Sequence, residues 1–358
     1  MNARRDLPLL ALFVFVYLSA ALVVRPTPAA AQPLPPPTTV AWPFTAGWLP
    51  RATIDAPTAY GVVNAISAQR LYLAVWGEPL RVYDLATTHL LATIPMSANG
   101  AFVAPDDTVY ITAWHEADIT RALIYVYEPA ATNPRILPYD CRPEVPHCTI
   151  SELAEGPGGR LYLAHPGGQR VDILDGQTGQ LLHTFNVGSS PTNSLTLALF
   201  DATLYIGISE AGEPDPFITV YDVSDVVPAL IDSLDIYGTW QVLLSPDGRT
   251  LYVDGYESFD QYHTAPLTYV RTLDGRLQDV LPNGAALATR QYRFTGFEVV
   301  AYDPQTGDAH RGLRHTNVSP RPQVYALADG GLAAFYNDRV VLHIPSDYAA
   351  ALPLVPVR

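Results

Sequence analysis

Five stretches of this 358-residue chain gather aromatic and acidic side chains of the kinds that hold ligands. They are Trp76 with Glu78; Trp114, His115, Glu116 and Asp118; His165; Glu210; and Tyr256, Glu257, Asp260 and His263. Aromatic rings stack on sugars and apolar bodies, while carboxylates hold hydroxyls or cations. Asp254, Glu257 and Asp260 have the composition of a calcium loop but lack the glycine spacing of the calcium-binding hand. The expectation is therefore no cofactor, with calcium as the alternative. Gly-x-Ser-x-Gly, His-Glu-x-x-His and phosphate-loop motifs are absent, and His115-Glu116 lacks a second histidine at helical spacing. No residue is assigned a catalytic role.

Cys141 and Cys148 are the only cysteines, and both lie in the proline-rich run 138–148. In an exported chain such an isolated pair reads as a disulfide. The alternative, a metal site that adds His147, has a spacing that fits no standard zinc motif.

The candidate residues recur because the chain recurs. Val82-Tyr83-Asp84, Val126-Tyr127-Glu128, Asp172-Ile173-Leu174-Asp175, Val220-Tyr221-Asp222 and Ala301-Tyr302-Asp303 are versions of one phrase. Short alternating strands repeated every forty-odd residues predict a β-propeller of four-stranded antiparallel blades, with strands a to d from the axis outward. Counting c strands near Tyr83, Tyr127, Ile173, Tyr221, Tyr269, Tyr302 and His343 gives seven blades. The acids ending them, Asp84, Glu128, Asp175, Asp222, Asp274 and Asp303, are spaced by 44, 47, 47, 52 and 29 residues. The short last step predicts a trimmed blade 6, cut between Leu277 and Phe297; six blades with one aberrant hairpin is the alternative. Ala52-Thr53-Ile54 echoes Ala92-Thr93-Ile94, the d strand of blade 1. Residues 51–55 should then complete the last blade and pair with its c strand near Arg339–Ile344. The b strands share a Leu-Tyr or Val-Tyr core, at Tyr72, Tyr110, Tyr162, Tyr205 and Tyr252, read as packing between neighbouring blades.

On these residues the chain resembles the YVTN-type propeller repeat. The resemblance rests on Val82–Pro95, a strand ending in Asp with a Thr-containing turn and an apolar strand, and on Ser245-Pro246-Asp247-Gly248-Arg249-Thr250-Leu251-Tyr252-Val253. It covers roughly residues 50–345 and implies an exported propeller; it implies no catalytic motif. Asp175-Gly176-Gln177-Thr178-Gly179 and Asp303-Pro304-Gln305-Thr306-Gly307 also resemble quinoprotein repeats. The tryptophan that follows the turn in those proteins is replaced here by Leu181, Leu182 and His310, which counts against a quinone.

Residues 1–31 read as a signal peptide: Arg4-Arg5, an apolar run from Leu7 to Val24, and Ala29-Ala30-Ala31 for cleavage. An uncleaved anchor is the alternative reading. Residues 32–50 form a proline-rich linker whose Trp42, Phe44 and Trp48 should dock on the propeller, residues 51–358. The net charge is −14 and every basic residue is arginine, so nucleic acid is a poor partner.

The expected protein is thus a secreted or extracytoplasmic monomer that binds a glycan, small molecule or protein partner. The long b–c loops, which carry the residues named first, are its expected working face. The alternative is a lactonase-like propeller hydrolase with a metal or acid site at the channel mouth. Acids converging on the axis would favour the hydrolase.

Overall fold

Among the described residues, the alternation of apolar and polar residues becomes 28 strands, arranged as seven antiparallel sheets of four around a ring. The computed structural model describes residues 48–55, 63–74, 78–115, 118–129, 133–141, 149–187, 192–210, 217–236, 241–255, 257–292, 296–316, 323–336 and 339–345. Taking strands a to d in order, blade 1 is Val63–Ile66, Arg70–Ala74, Leu80–Asp84 and Leu90–Ile94. Blade 2 is Ala98–Val103, Val109–His115, Asp118–Tyr127 and Arg135–Asp140. Blade 3 is Glu152–Gly156, Arg160–His165, Arg170–Asp175 and Leu181–Asn186. Blade 4 is Thr192–Phe200, Thr203–Glu210, Phe217–Asp222 and Ala229–Asp235. Blade 5 is Gln241–Leu244, Thr250–Asp254, Ser258–Thr264 and Leu267–Asp274. Blade 6 is Arg276–Val280, Ala286–Tyr292, Gly296–Tyr302 and Ala309–Thr316. Blade 7 takes a to c from Gln323–Ala326, Leu332–Phe335 and Arg339–Pro345, and its d strand from Trp48–Asp55 at the other end of the chain.

The closure follows the Ala-Thr-Ile echo. Ala52 opposes Leu342, Thr53 opposes Val341 and Ile54 opposes Val340. The strand begins at Trp48, inside the stretch read as linker, and Trp48 is buried. Its indole N–H donates to the Gly330 carbonyl at 3.1 Å. Trp42 and Phe44 lie outside the described residues.

The core is a set of layers between blades. One layer joins Tyr162, Val171 and Ile173 of blade 3 to Leu195, Leu204 and Ile206 of blade 4. The b-strand tyrosines bridge blades as expected. Tyr110 donates to Glu155 at 2.7 Å, from blade 2 to blade 3, and Tyr252 donates to the Gly284 carbonyl at 2.8 Å, from blade 5 to blade 6. Such hydroxyls let a large ring fill the interface without an unpaired polar tip.

The acids of the repeated phrase hold c–d turns. Asp175 Oδ1 accepts from the Thr178 amide at 2.7 Å and its hydroxyl at 2.8 Å, and Asp84 does the same for Thr87 at the same two distances. These hydrogen bonds, to amide and hydroxyl, hold both carboxyls below the usual carboxylate range. The repeat signature is therefore a turn device and not a binding motif.

Blade 5 departs from the sequence reading. Tyr269 lies in strand d, Leu267–Asp274, and strand c is Ser258–Thr264. A two-residue turn, Ala265-Pro266, joins two strands that both alternate, so either fits the repeated phrase. The steps of 52 and 29 arise from measuring to Asp274, at the end of the outer strand. Blade 6 is complete, not trimmed, and the ring has seven blades.

Candidate functional site

Seven inner strands enclose an axial cavity of about 720 Å³ bordered by residues from every blade. Ala65, Ala154, Leu197, Val242 and Ala326 are among the apolar groups of its wall. Polar groups enter at few points: Glu152 and Glu155 of blade 3, Gln241 of blade 5, and Gln278 and Asp279 of blade 6. The inner strands run in one direction around the ring. Glu152 and Gln241 open their strands, whereas Asp279 sits near the end of its own, where Pro105, Pro246 and Pro282 mark the a–b turns. Glu152 thus lies at a different depth from Asp279 as well as on a different blade.

Their surroundings differ. Glu155 accepts the Tyr110 hydroxyl. Asp279 accepts the amides of Val280 at 2.7 Å and Ala326 at 2.8 Å, yet burial outweighs those bonds and raises its pKa to about 6. Gln278 accepts the Val324 amide at 3.3 Å. Glu152 makes no hydrogen bond or ion pair with any described residue, and burial in the channel alone raises its pKa to about 8. At neutral pH it is mostly a protonated acid. Among the described residues bordering the cavity none is basic. A shallower hollow of about 430 Å³ lies along Leu181–Asn186, on one outer strand only.

The residues singled out on the b–c loops do not come together in one described site. Trp76, Glu116, Tyr256 and Cys148 lie outside the described residues. Trp114 and His115 end strand b of blade 2, Asp118 opens its strand c, and Glu210 ends strand b of blade 4. Glu78 accepts from Arg81 at 2.9 Å. Glu257 and His263 are exposed. Asp260 and His263 belong to strand c of blade 5, not to a loop, and Asp260 accepts the Thr272 hydroxyl at 2.6 Å. Asp254 is buried and accepts the Leu277 amide at 2.9 Å. That bond takes one oxygen away from any calcium loop with Glu257 and Asp260. No group of three His, Cys, Asp or Glu among the described residues is placed to hold a metal ion.

His165 ends strand b of blade 3 and is fully buried, not displayed on a loop. Its Nε2 lies 3.0 Å from the Tyr139 hydroxyl and its Nδ1 lies 3.1 Å from the Thr149 carbonyl. The Tyr139 hydroxyl also contacts Asp172, which accepts from Thr184 at 2.6 Å and lies 3.3 Å from Arg170. With a neutral ring whose Nδ1–H faces Thr149, one tyrosine proton meets two acceptors, Nε2 and the carboxylate. Cys141, also buried, belongs to the same core layer as Tyr139. The motif Tyr139–His165–Asp172–Arg170 joins blades 2 and 3 and is a structural cluster.

Sequence reasoning missed Glu152, Gln241 and Asp279. Each is a polar residue in an inner strand, and the one available signal was that an inner strand has no solvent face except the channel.

No protein-family model matches the chain, and no curated protein matches it. Among solved structures, Kuenenia stuttgartiensis hydrazine synthase is similar, with a TM-score of 0.60 and 13% identity over 81% of this chain and 96% of that one. At that identity the likeness supports the propeller fold alone.

Proposed function

We propose that the chain is an exported β-propeller that binds a small molecule in its axial cavity. The observation that carries this reading is the cavity itself. At about 720 Å³ it falls within the range of ligand pockets, roughly 300–1,000 Å³, and it pairs apolar walls with a few polar groups as such pockets do. Its walls are strands, so it is held open by the rigid part of the fold.

Fragment soaking of crystals of the full chain tests the proposal. Fragments should occupy the channel, and Ala154→Phe, which narrows it, should abolish their binding while the outer-strand variant Leu230→Ser leaves it intact. Fragments gathering on the loop face or on outer strands, indifferent to Ala154→Phe, would replace this reading with a surface-binding one for a glycan or protein.

A hydrolase reading has one observation behind it. Glu152, protonated at neutral pH, has the state that a general acid needs. Turnover of a lactone panel, abolished by Glu152→Gln, would establish that reading.

A further inference from the structure

Resting on the reading of the cavity as a ligand site, we infer that it selects an organic ammonium ion, with the charge at Glu152 and the apolar body against the channel wall. Three features support this together. The cavity is enclosed by inner strands, so a ligand entering it loses water and must find its polar partners on the wall. The ionisable groups that border it, Glu152, Glu155 and Asp279, are all acidic, and none of the described bordering residues offers an arginine or histidine to an anion. Glu155 and Asp279 already accept hydrogen bonds within the fold, whereas Glu152 has none with any described residue and is the group left for a ligand.

The choice of an organic cation over a metal ion follows from the rest of the wall. A hard cation such as calcium needs about six or more oxygen ligands. Glu152 and Glu155 stand on blade 3 and Asp279 on blade 6, Glu152 lies at a different depth from the other two, and among the described residues no three acidic or ligating residues converge on a metal site. An ammonium group needs one carboxylate and a few acceptors. Leu153, Leu197 and Leu243 then take up the hydrocarbon, and the rings of Phe102 and Tyr325 border the same space. The amide of Gln241, which opens the inner strand of blade 5 and makes no side-chain hydrogen bond with a described residue, borders the same space.

Binding should be linked to protons. Burial keeps Glu152 protonated at neutral pH, and a cation beside it favours the carboxylate. Uptake of the ligand therefore expels a proton, and affinity rises with pH. The other acids that face the same space, Glu155 and Asp279, add to the attraction but are already held by the fold.

The experiment compares 4-phenylbutylamine, 4-phenylbutanol and 4-phenylbutyrate by titration calorimetry on the full chain and on Glu152→Gln. The amine should bind at least about tenfold more tightly than the alcohol, with the butyrate weakest. In Glu152→Gln the amine should lose its advantage over the alcohol. Between about pH 6 and about pH 9 the amine should gain about tenfold on the wild-type chain, and buffers of different ionisation enthalpy should reveal proton release near pH 7. The comparison of amine with alcohol and the pH series use the unaltered chain, so they decide the matter even if the variant folds poorly. Equal binding of amine and alcohol, tight binding of the butyrate, or a preference that survives in Glu152→Gln would overturn the inference while leaving the cavity a ligand site. Failure of all three compounds, where soaked fragments do enter the channel, would overturn it in the same way. An empty channel in both experiments would overturn the cavity reading as well.

Discussion

The indole of Trp48 lies against Gly312, so that a Cβ at residue 312 would stand 2.0 Å from Cε3 of the ring. Trp48 closes blade 7 and Gly312 belongs to the outer strand of blade 6, so this contact ties the closing strand to the preceding blade. A side chain at position 312 would overlap the indole, a rigid ring, and must displace it. Gly312→Leu and Trp48→Ala should each lose about 3–5 kcal/mol, the range for emptying a buried tryptophan site. Urea unfolding checks this: both midpoints should fall, and the two losses should not add in the double variant.

Thr88 offers an easy stabilisation. It has φ of 62°, while Gly179 and Gly307, the corresponding residues of two other c–d turns, both have φ of 75°. All three donate their amide to the Asp that opens the turn, at 2.8 to 2.9 Å. A β-branched residue is strained in that left-handed region, and glycine is not. Thr88→Gly should raise stability by about 1 kcal/mol at no cost to the ring. A lower melting temperature for the variant would show that the Thr88 hydroxyl, which bonds the Thr87 carbonyl at 2.7 Å, outweighs the strain.

Glu152 should make the fold less stable as pH rises. Its folded pKa, raised to about 8 by burial, lies above the ordinary glutamate value, so the folded chain holds a proton that the unfolded chain releases. That contribution is complete below about pH 4.5 and is lost as pH rises through about 8. Glu152→Gln removes the dependence and should be more stable than wild type by about 2 kcal/mol at pH 9, allowing for partial access of water to the channel. At pH 4 the two should be equal. A gain of that size at pH 4 would assign the effect to packing.

His165 works in the opposite sense. Burial lowers its pKa to about 4 against the pull of Asp172. The unfolded imidazole takes up a proton near pH 6.5 that the folded one resists, so stability falls as pH drops from about 6.5 to about 4. Urea midpoints across that window should show the fall in wild type and a flatter profile in His165→Gln. An imidazole resonance of His165 already charged at pH 6 would sink the prediction and would mean that the shared Tyr139 proton decides the state of the ring.

The repeat was legible because turns and outer strands obey local rules. Asp84, Asp175 and Asp303 must accept amides within their own turns, and those hydrogen bonds leave the same letters each time. Blade 5 failed where the rule is local but ambiguous: Tyr262 and Tyr269 sit on adjacent alternating strands, and only pairing tells inner from outer. The site was not legible for a different reason. Glu152 and Gln241 look like solvent-facing residues of alternating strands, and they face the axis only because seven strands enclose it. His165 shows the converse, since its loop-like surroundings in sequence conceal full burial.

The pairing of Trp48–Asp55 with Arg339–Pro345 also sets the order of events during synthesis. Trp48 reaches its acceptor Gly330 across 282 residues, so of the described strands the first to emerge from the ribosome is the last to be paired. Until residue 345 is made, an incomplete ring has two uncovered blade faces, and the waiting segment has no strand to pair with. A nascent chain in that state offers its uncovered blade faces to neighbours on the same polysome. Stalling before blade 7 should therefore yield tangled oligomers, not a stable six-bladed fragment.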